Sequence, residues 1–465
     1  MYFLVIRDQF ILSLFPLAFV LIIAAIYSFD KLFLFTVFII PLSIPLKEFV
    51  PGLEFDMYLP TEPLIVGMLI IFIIKLFIDK SFDRKIFKHP VSLAIGFNLI
   101  WILFTTLTST MPLISIKFFL ARFWFVIVFY FIGIQLFQKK ENIKKFIWLY
   151  ILGFLIVIGI TISKHLSYGL VDQEAAHFVM DPFFNDHTSY AAVLSMFIPV
   201  LIGFIFLSKA KFRLLITIVT FAFIFALVFS YTRAAWISLV GGFCIWVVIF
   251  LKIKLRTVLI GLGILIGLFV AYSTIIMTKM ESNEQDSSTN FGEHIQSMSN
   301  ISTDASNLER INRWSCALRM FSKKPVFGFG PGTYMFQYAP FQKQSQKTII
   351  STNYGDGGNA HSEYLGPLSE SGVLGLISFL LIVITSVYYG IKVYRKNKSK
   401  EFRWLAITLV IGLFTYYLHG IMNNFLDTDK ASAPFWGFIA IIVAMDIYHN
   451  NSEKIISKKK SAITK

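Results

Sequence analysis

Apolar residues occupy this chain in long uninterrupted runs separated by short polar connections. The runs do not alternate polar and apolar positions, so they do not read as strands of a membrane barrel. Most approach the ~20 residues that carry an α-helix across a bilayer, where backbone groups must pair internally. The pattern predicts helices over Phe10–Tyr27, Leu32–Leu46, Pro63–Ile78, Val91–Leu107, Ile114–Phe137, Phe146–Ile162, Ser189–Leu207, Leu214–Phe229, Ala235–Leu251, Val258–Ile276, Leu374–Val393, Trp404–Leu418 and Pro434–Ile447. The expected fold class is all-α, a polytopic transmembrane bundle of about 12–13 helices with one large, partly helical loop. The organisation expected is 1–276 N-terminal transmembrane helices, 277–370 large loop, 371–449 C-terminal transmembrane helices and 450–465 basic tail. The first run lacks a basic n-region and a small-residue cleavage site, and reads as a retained helix.

Composition agrees with the pattern. Of 465 residues, 56% are hydrophobic and 15% charged, against about 25% charged in soluble domains. The net charge of +15 falls in short clusters between apolar runs, which reads as topology and not as a nucleic-acid surface. The basic connections are 79–88, 139–145, 209–213, 252–256, 392–403 and the tail with Lys458, Lys459 and Lys460. They are expected in the cytoplasm, which puts the 277–370 loop outside. Two cysteines, Cys244 and Cys316, imply no disulfide framework.

The long loop changes character along its length. Its first half is polar. In its second half Leu308, Ile311, Ser315, Leu318 and Phe321 recur at helical spacing until Pro325. A turn-rich FGFGPGTY follows at 327–334. It lacks the Gly-Lys-Ser/Thr of a phosphate loop, so no nucleotide cofactor is expected. Clusters of Cys and His at short spacing are missing, and no metal is expected.

Several residues suit chemistry. Arg122 lies inside an apolar stretch, where a charge costs roughly +2.5–3.5 kcal/mol and marks a functional candidate. Arg233 stands at the outer mouth between two helices, where a snorkelling interfacial arginine is the plain alternative. Arg310 and Arg313 are three apart, so a helix puts both on one face; paired guanidinium forks suit a diphosphate, and a solvated helix face is the alternative. His361, before a helix, suits proton abstraction from a sugar hydroxyl near neutral pH. Glu363 and Glu370 are nearby acid–base alternatives, though Glu370 also suits a helix N-terminus.

The order SYTRAAW, ERINRW, Pro325 with VFGFGPG, NAHSEYL and SESGVLGL resembles the O-antigen ligase and O-antigen polymerase family, over about 107–385. In that family an S-x-x-R-like element precedes a large periplasmic loop with Arg-x-x-x-Trp, Pro followed by Gly-x-Gly, and Ala-His-Asn. Here Arg310 and Trp314 match Arg-x-x-x-Trp, Gly328 and Gly330 match Gly-x-Gly, and Ser362 stands where the family usually has Asn. The resemblance implies a metal-independent, inverting glycosyl transfer from an undecaprenyl-diphosphate-linked glycan donor. Arg122, Arg233 and Arg310, with Arg313 beside them, would hold the diphosphate, and His361 would activate or orient the acceptor hydroxyl. Trp314, Gly328, Gly330 and Glu370 would support the loop. The expected place is the inner membrane, in contact with membrane lipids, with the active site facing the periplasm and a lipid or glycan as acceptor. A ligase is the first reading and a polymerase the second. A transporter is disfavoured, because the apolar runs hold almost no Asp, Glu or Lys at their centres.

Overall fold

The computed structural model of the chain describes residues 28–50, 57–78, 82–254, 305–347, 351 and 358–450, with scattered positions between 256 and 272. The expected helix at 10–27, most of that at 258–276, the polar half of the loop before residue 305, and the tail lysines lie outside the described residues. Twelve helices carry the architecture considered below. They are α1 Phe29–Ile39, α2 Thr61–Ile78, α3 Pro90–Leu107, α4 Pro112–Leu136, α5 Lys140–Tyr168, α6 His187–Leu207, α7 Ala210–Val228, α8 Arg233–Phe250, α9 Ala305–Lys323, α10 Leu365–Lys396, α11 Lys400–Met422 and α12 Asp429–Tyr448. Ten of them, all but α1 and α9, are long and apolar enough to cross a membrane. The chain is a multi-pass α-helical membrane protein.

Two expected helices differ at their ends for local reasons. The run 32–46 does not form one helix. After Ile39 it tightens into a 3₁₀ turn, Ile40–Leu42, and then pairs Ile44 and Pro45 with Leu59 and Tyr58 in a short antiparallel ladder. Pro41 and Pro45 remove the N–H groups that a continuing helix needs. At 11 residues α1 is only about 17 Å long. Conversely α10 starts at Leu365, well before the expected Leu374, because Gly372 leaves helical geometry (φ 71°) and joins a polar first segment to the apolar span.

The centre of the bundle is α6, α11 and α12, with 78%, 78% and 83% of their spans buried, whereas α2 has 17%. Small residues permit the close approach. A Cβ on Gly412 would overlap the Met196 carbonyl, and one on Gly203 would overlap Thr408. A buried polar knot ties α12 to the N-terminal part. Asp429 accepts from Ser43 Oγ (2.8 Å) and Thr61 Oγ1 (2.6 Å), and Lys430 Nζ donates to Ser43 Oγ at 2.8 Å.

The two ends of the bundle differ in charge. At one end Lys140 and Lys144 both reach Glu401 at 2.7 Å, and Lys392 reaches Asp446 at 3.0 Å. This is the end of the basic connections. The opposite end carries α9 and the glycine loop. There the buried positions of α9 are Glu309, Asn312, Arg313, Cys316, Ala317 and Met320, while Leu318 is exposed. The residues whose spacing predicts the helix are thus not the ones it buries. Cys316, Ala317 and Met320 join Phe329, Tyr334, Tyr338 and Ala360 in a small separate core.

Candidate functional site

The glycine loop is the joint between this cap and the membrane helices. The Phe329 carbonyl accepts from Thr110 N–H (2.9 Å) and Thr110 Oγ1 (2.6 Å), and the Pro331 carbonyl accepts from Ser115 Oγ at 2.8 Å. On its other side Gly330 N–H donates to the Glu370 carbonyl at 2.8 Å, and Val373 N–H donates to the Pro325 carbonyl at 3.0 Å. The Glu370 carboxylate accepts from Tyr334 N–H at 2.9 Å. Gly330 adopts φ 116°, and a Cβ there would overlap Ser109. A Cβ on Gly328 would overlap the Glu370 carbonyl. Gly328, Gly330 and Glu370 therefore hold the cap in place.

His361 sits beside this joint in a constrained backbone. Its φ is 46°, unusual for a residue with a side chain. Its N–H donates to Asn359 Oδ1 at 3.0 Å, and its carbonyl accepts from Trp314 Nε1 at 3.3 Å. Arg313 supports the same turn. Its Nε donates to Glu309 at 2.8 Å and its Nη1 to the Asn359 carbonyl at 3.1 Å. Its guanidinium also stacks on the Tyr338 ring. Burial, then the charges of Arg310 and Arg313, push the His361 imidazole down to about 3, against a hydrogen bond with Asn423. The ring is neutral at neutral pH.

The arginines fall into two adjoining groups. Arg310 on α9 lies close enough to Arg233, the first residue of α8, for their charges to repel. Burial lowers the Arg310 guanidinium from its usual value, and Asp186 opposes this; it stays charged at any physiological pH. Asp186 itself caps α6, accepting from Thr188 N–H (2.7 Å) and Ser189 N–H (2.8 Å). Arg122 on α4 belongs to the second group, where its charge acts on Asp427 and Glu370. Its Nε has no hydrogen-bond partner among the described residues, and its guanidinium lies over Phe118 at 5.5 Å. So Arg233, Arg310, Arg313 and His361 share one neighbourhood, and Arg122 faces it across Asp427 and Asp186.

Sequence reasoning missed the contribution of the turn between α11 and α12. Glu363 is buried. Its carboxylate accepts from Tyr416 OH (2.7 Å), Phe425 N–H (2.9 Å) and Leu426 N–H (3.0 Å), while its own N–H donates to the Gly420 carbonyl at 2.7 Å. Glu363 is thus a clamp on that turn, and not the free acid–base alternative expected from its place in the chain. The turn brings Asn423 to His361 and Asp427 to Arg122. Asp427 is open to solvent at the mouth yet crowded by protein; crowding and Glu363 push its carboxyl up to about 6, against Arg122. The available signal was NNFLD at 423–427, polar residues ending an apolar helix, with His419 four residues before Asn423 on the same face.

The arrangement offers a neutral imidazole, at least three guanidinium groups and a carboxylate at one mouth. That set can take a proton from a hydroxyl while neutralising a departing oxyanion.

An uncharacterized protein of Haemophilus influenzae is 26% identical over 125 residues, covering 26% of this chain and 30% of that protein. The two chains therefore correspond over less than a third of that relative's length. The model of the O-Antigen ligase family matches residues 218–380. That stretch contains Arg233, Arg310, Arg313, Trp314, the glycine loop and His361, and leaves Arg122 and Asp427 outside it. What the chain shares with the O-antigen ligase family is therefore this segment, which holds the folded cap and the base of its mouth.

Proposed function

We propose that the chain transfers a glycan from undecaprenyl diphosphate to a lipid acceptor of the lipid A–core type, on the periplasmic face of the inner membrane. The observation that carries this reading is His361, held neutral among cationic side chains at the mouth of the bundle opposite its basic end. The acceptor hydroxyl oxygen attacks the anomeric carbon of the donor sugar, and its proton passes to the free nitrogen of His361. The bond from that carbon to the diphosphate oxygen breaks, and the diphosphate leaves with the electron pair. Attack opposite the leaving group inverts the configuration. Arg233 and Arg310 from one side and Arg122 from the other meet the developing charge, so the chemistry runs without a metal. Arg313 adds charge from behind while its hydrogen bonds hold the turn.

The test is purified protein in lipid nanodiscs with an undecaprenyl-diphosphate-linked glycan and a lipid A–core acceptor. The expected product is glycan joined to the core lipid, absent with His361→Ala. Lengthening of the lipid-linked chain instead identifies a polymerase, and no new glycosidic bond overturns the reading.

A further inference from the structure

Gly372 breaks α10, and a continuous helix would spend the Val373 N–H on the Ser369 carbonyl and cover the Glu370 and Ser371 carbonyls from the residues that follow. Here each of these groups goes elsewhere. Val373 N–H donates to the Pro325 carbonyl at 3.0 Å, and the Ser369 carbonyl accepts from Phe329 N–H at 3.2 Å. The Glu370 carbonyl accepts from Gly330 N–H at 2.8 Å, and the Ser371 carbonyl from Trp101 Nε1 at 2.8 Å. The notch left by the kink is filled by residues 325–330 of the cap, and a Cβ on Gly372 would overlap the Val326 carbonyl. Non-helical backbone lies at membrane depth only where protein meets its polar groups. The kinked helix meets them here.

The side chains of this segment join a lipid-facing surface. The Phe327 ring stacks on Trp101 at 5.9 Å and lies 6.0 Å from Phe104. Trp101 stands six residues before Leu107, the last residue of α3, and so roughly 9 Å below that end of the helix. Leu103, Phe104 and Leu107 are exposed on this spanning helix, so they face lipid. Val326 and Phe327, at 52% and 41% exposure, continue the same surface. A reach of roughly 9 Å matches the ~5–10 Å burial of interfacial anchors. Immediately before them come Lys323, exposed, and Lys324, half-buried, and neither ammonium pairs with a carboxylate among the described residues. They rest over the Phe341 and Phe329 rings of the cap. The basic connections lie at the other end of the bundle, so an unpaired lysine couple here does not serve topology.

We propose that the cap itself enters the bilayer. Val326 and Phe327 form a wedge among the acyl chains, and Lys323 and Lys324 hold the phosphates of anionic phospholipids above it. The order of residues matches the order of a leaflet: cations at the headgroups, then apolar side chains at acyl depth. Continuity with the lipid-facing side of α3 fixes the occupant as lipid and not a second chain.

The experiment uses full-length protein in nanodiscs of phosphatidylglycerol and phosphatidylcholine. A nitroxide on Val326→Cys, in a Cys244→Ser background that keeps the buried Cys316, is read by power-saturation EPR against oxygen and a water-soluble nickel chelate. Ser345→Cys, at an exposed position of the cap, is the reference. The Val326 label is expected to meet oxygen and to be shielded from the chelate, with the Ser345 label showing the reverse. In a second arm, spin-labelled phosphatidylglycerol is retained in preference to phosphatidylcholine, and Lys323→Gln and Lys324→Gln each lower that preference by up to about fivefold. A Val326 label as open to the chelate as the one on Ser345 overturns the proposal, and so does a preference that the lysine variants leave unchanged. Dipolar coupling between Val326 labels of two chains overturns it in favour of a second copy. Retention of the phosphorylated acceptor lipid ahead of phosphatidylglycerol overturns it in favour of an acceptor site. Neither arm needs glycan transfer to occur, so the result is independent of the reaction proposed above.

Discussion

Glu370 holds Tyr334 by a hydrogen bond of 2.9 Å from the Tyr334 N–H to its carboxylate, while its carbonyl takes the N–H of Gly330. One residue at the head of α10 grips the glycine loop twice. Gly330→Ala places a side chain at φ 116° and against Ser109. The expected cost is about 1–3 kcal/mol of stability, seen as a lower unfolding temperature and faster proteolysis of the loop. An unchanged melting curve would mean that the joint relaxes freely.

In the proposed reaction Arg233 and Arg310 act on charge that develops as the diphosphate leaves. Arg233→Ala and Arg310→Ala should each lower kcat roughly 10²–10³-fold with normal insertion into the membrane. Single-turnover transfer by the purified variants measures this. Normal glycan display by cells carrying Arg233→Ala contradicts the assignment.

The pH profile separates His361 from Asp427. His361, the proposed base, is neutral above its lowered value of about 3. It gives no acid limb near pH 6.5, where an ordinary histidine titrates. Asp427, pushed up to about 6, loses its charge as pH falls through that value. Because that charge acts on Arg122 at the proposed site, kcat/KM should fall below about pH 6. Arg122 holds the Asp427 carboxyl down, so Arg122→Gln should move this limb to higher pH. Asp427→Asn should remove it. A limb that persists in Asp427→Asn assigns it elsewhere.

Arg313 and Glu309 form a buried ion pair at 2.8 Å, with 8% and 5% of their side chains exposed. Removing only Arg313 strands a buried carboxylate, at a cost of about 3–5 kcal/mol. Arg313→Met should therefore lower the unfolding temperature more than Arg313→Met combined with Glu309→Leu. Additive losses would show that the pair is not coupled.

The spanning helices were legible because lipid demands long apolar runs, and each run of this kind between Pro63 and Ile447 that lies within the described residues became a helix. Arg122, Arg233, Arg310 and His361 were legible as charges or titratable groups in places that disfavour them. Asn423, His419 and Asp427 were not. Asn423 and Asp427 sit in a short turn and His419 in the helix end before it, and the Glu363 carboxylate that grips Phe425 and Leu426 in that turn lies 62 and 63 residues away along the chain. Arg313 looked like a second fork for ligand. Its partners Glu309 and Asn359 are one turn away and in a distant loop, and the second cannot be read from spacing.

The buried side of α9 is polar at its start, with Glu309, Asn312 and Arg313, and apolar further on, with Cys316, Ala317 and Met320, while Leu318 is turned out. Cut away from the bundle, the cap would keep these contacts but lose Thr110, Ser115 and Glu370, which seat its glycine loop. The cap is seated, and not merely tethered: one glycine loop joins its small core to the membrane-spanning helices.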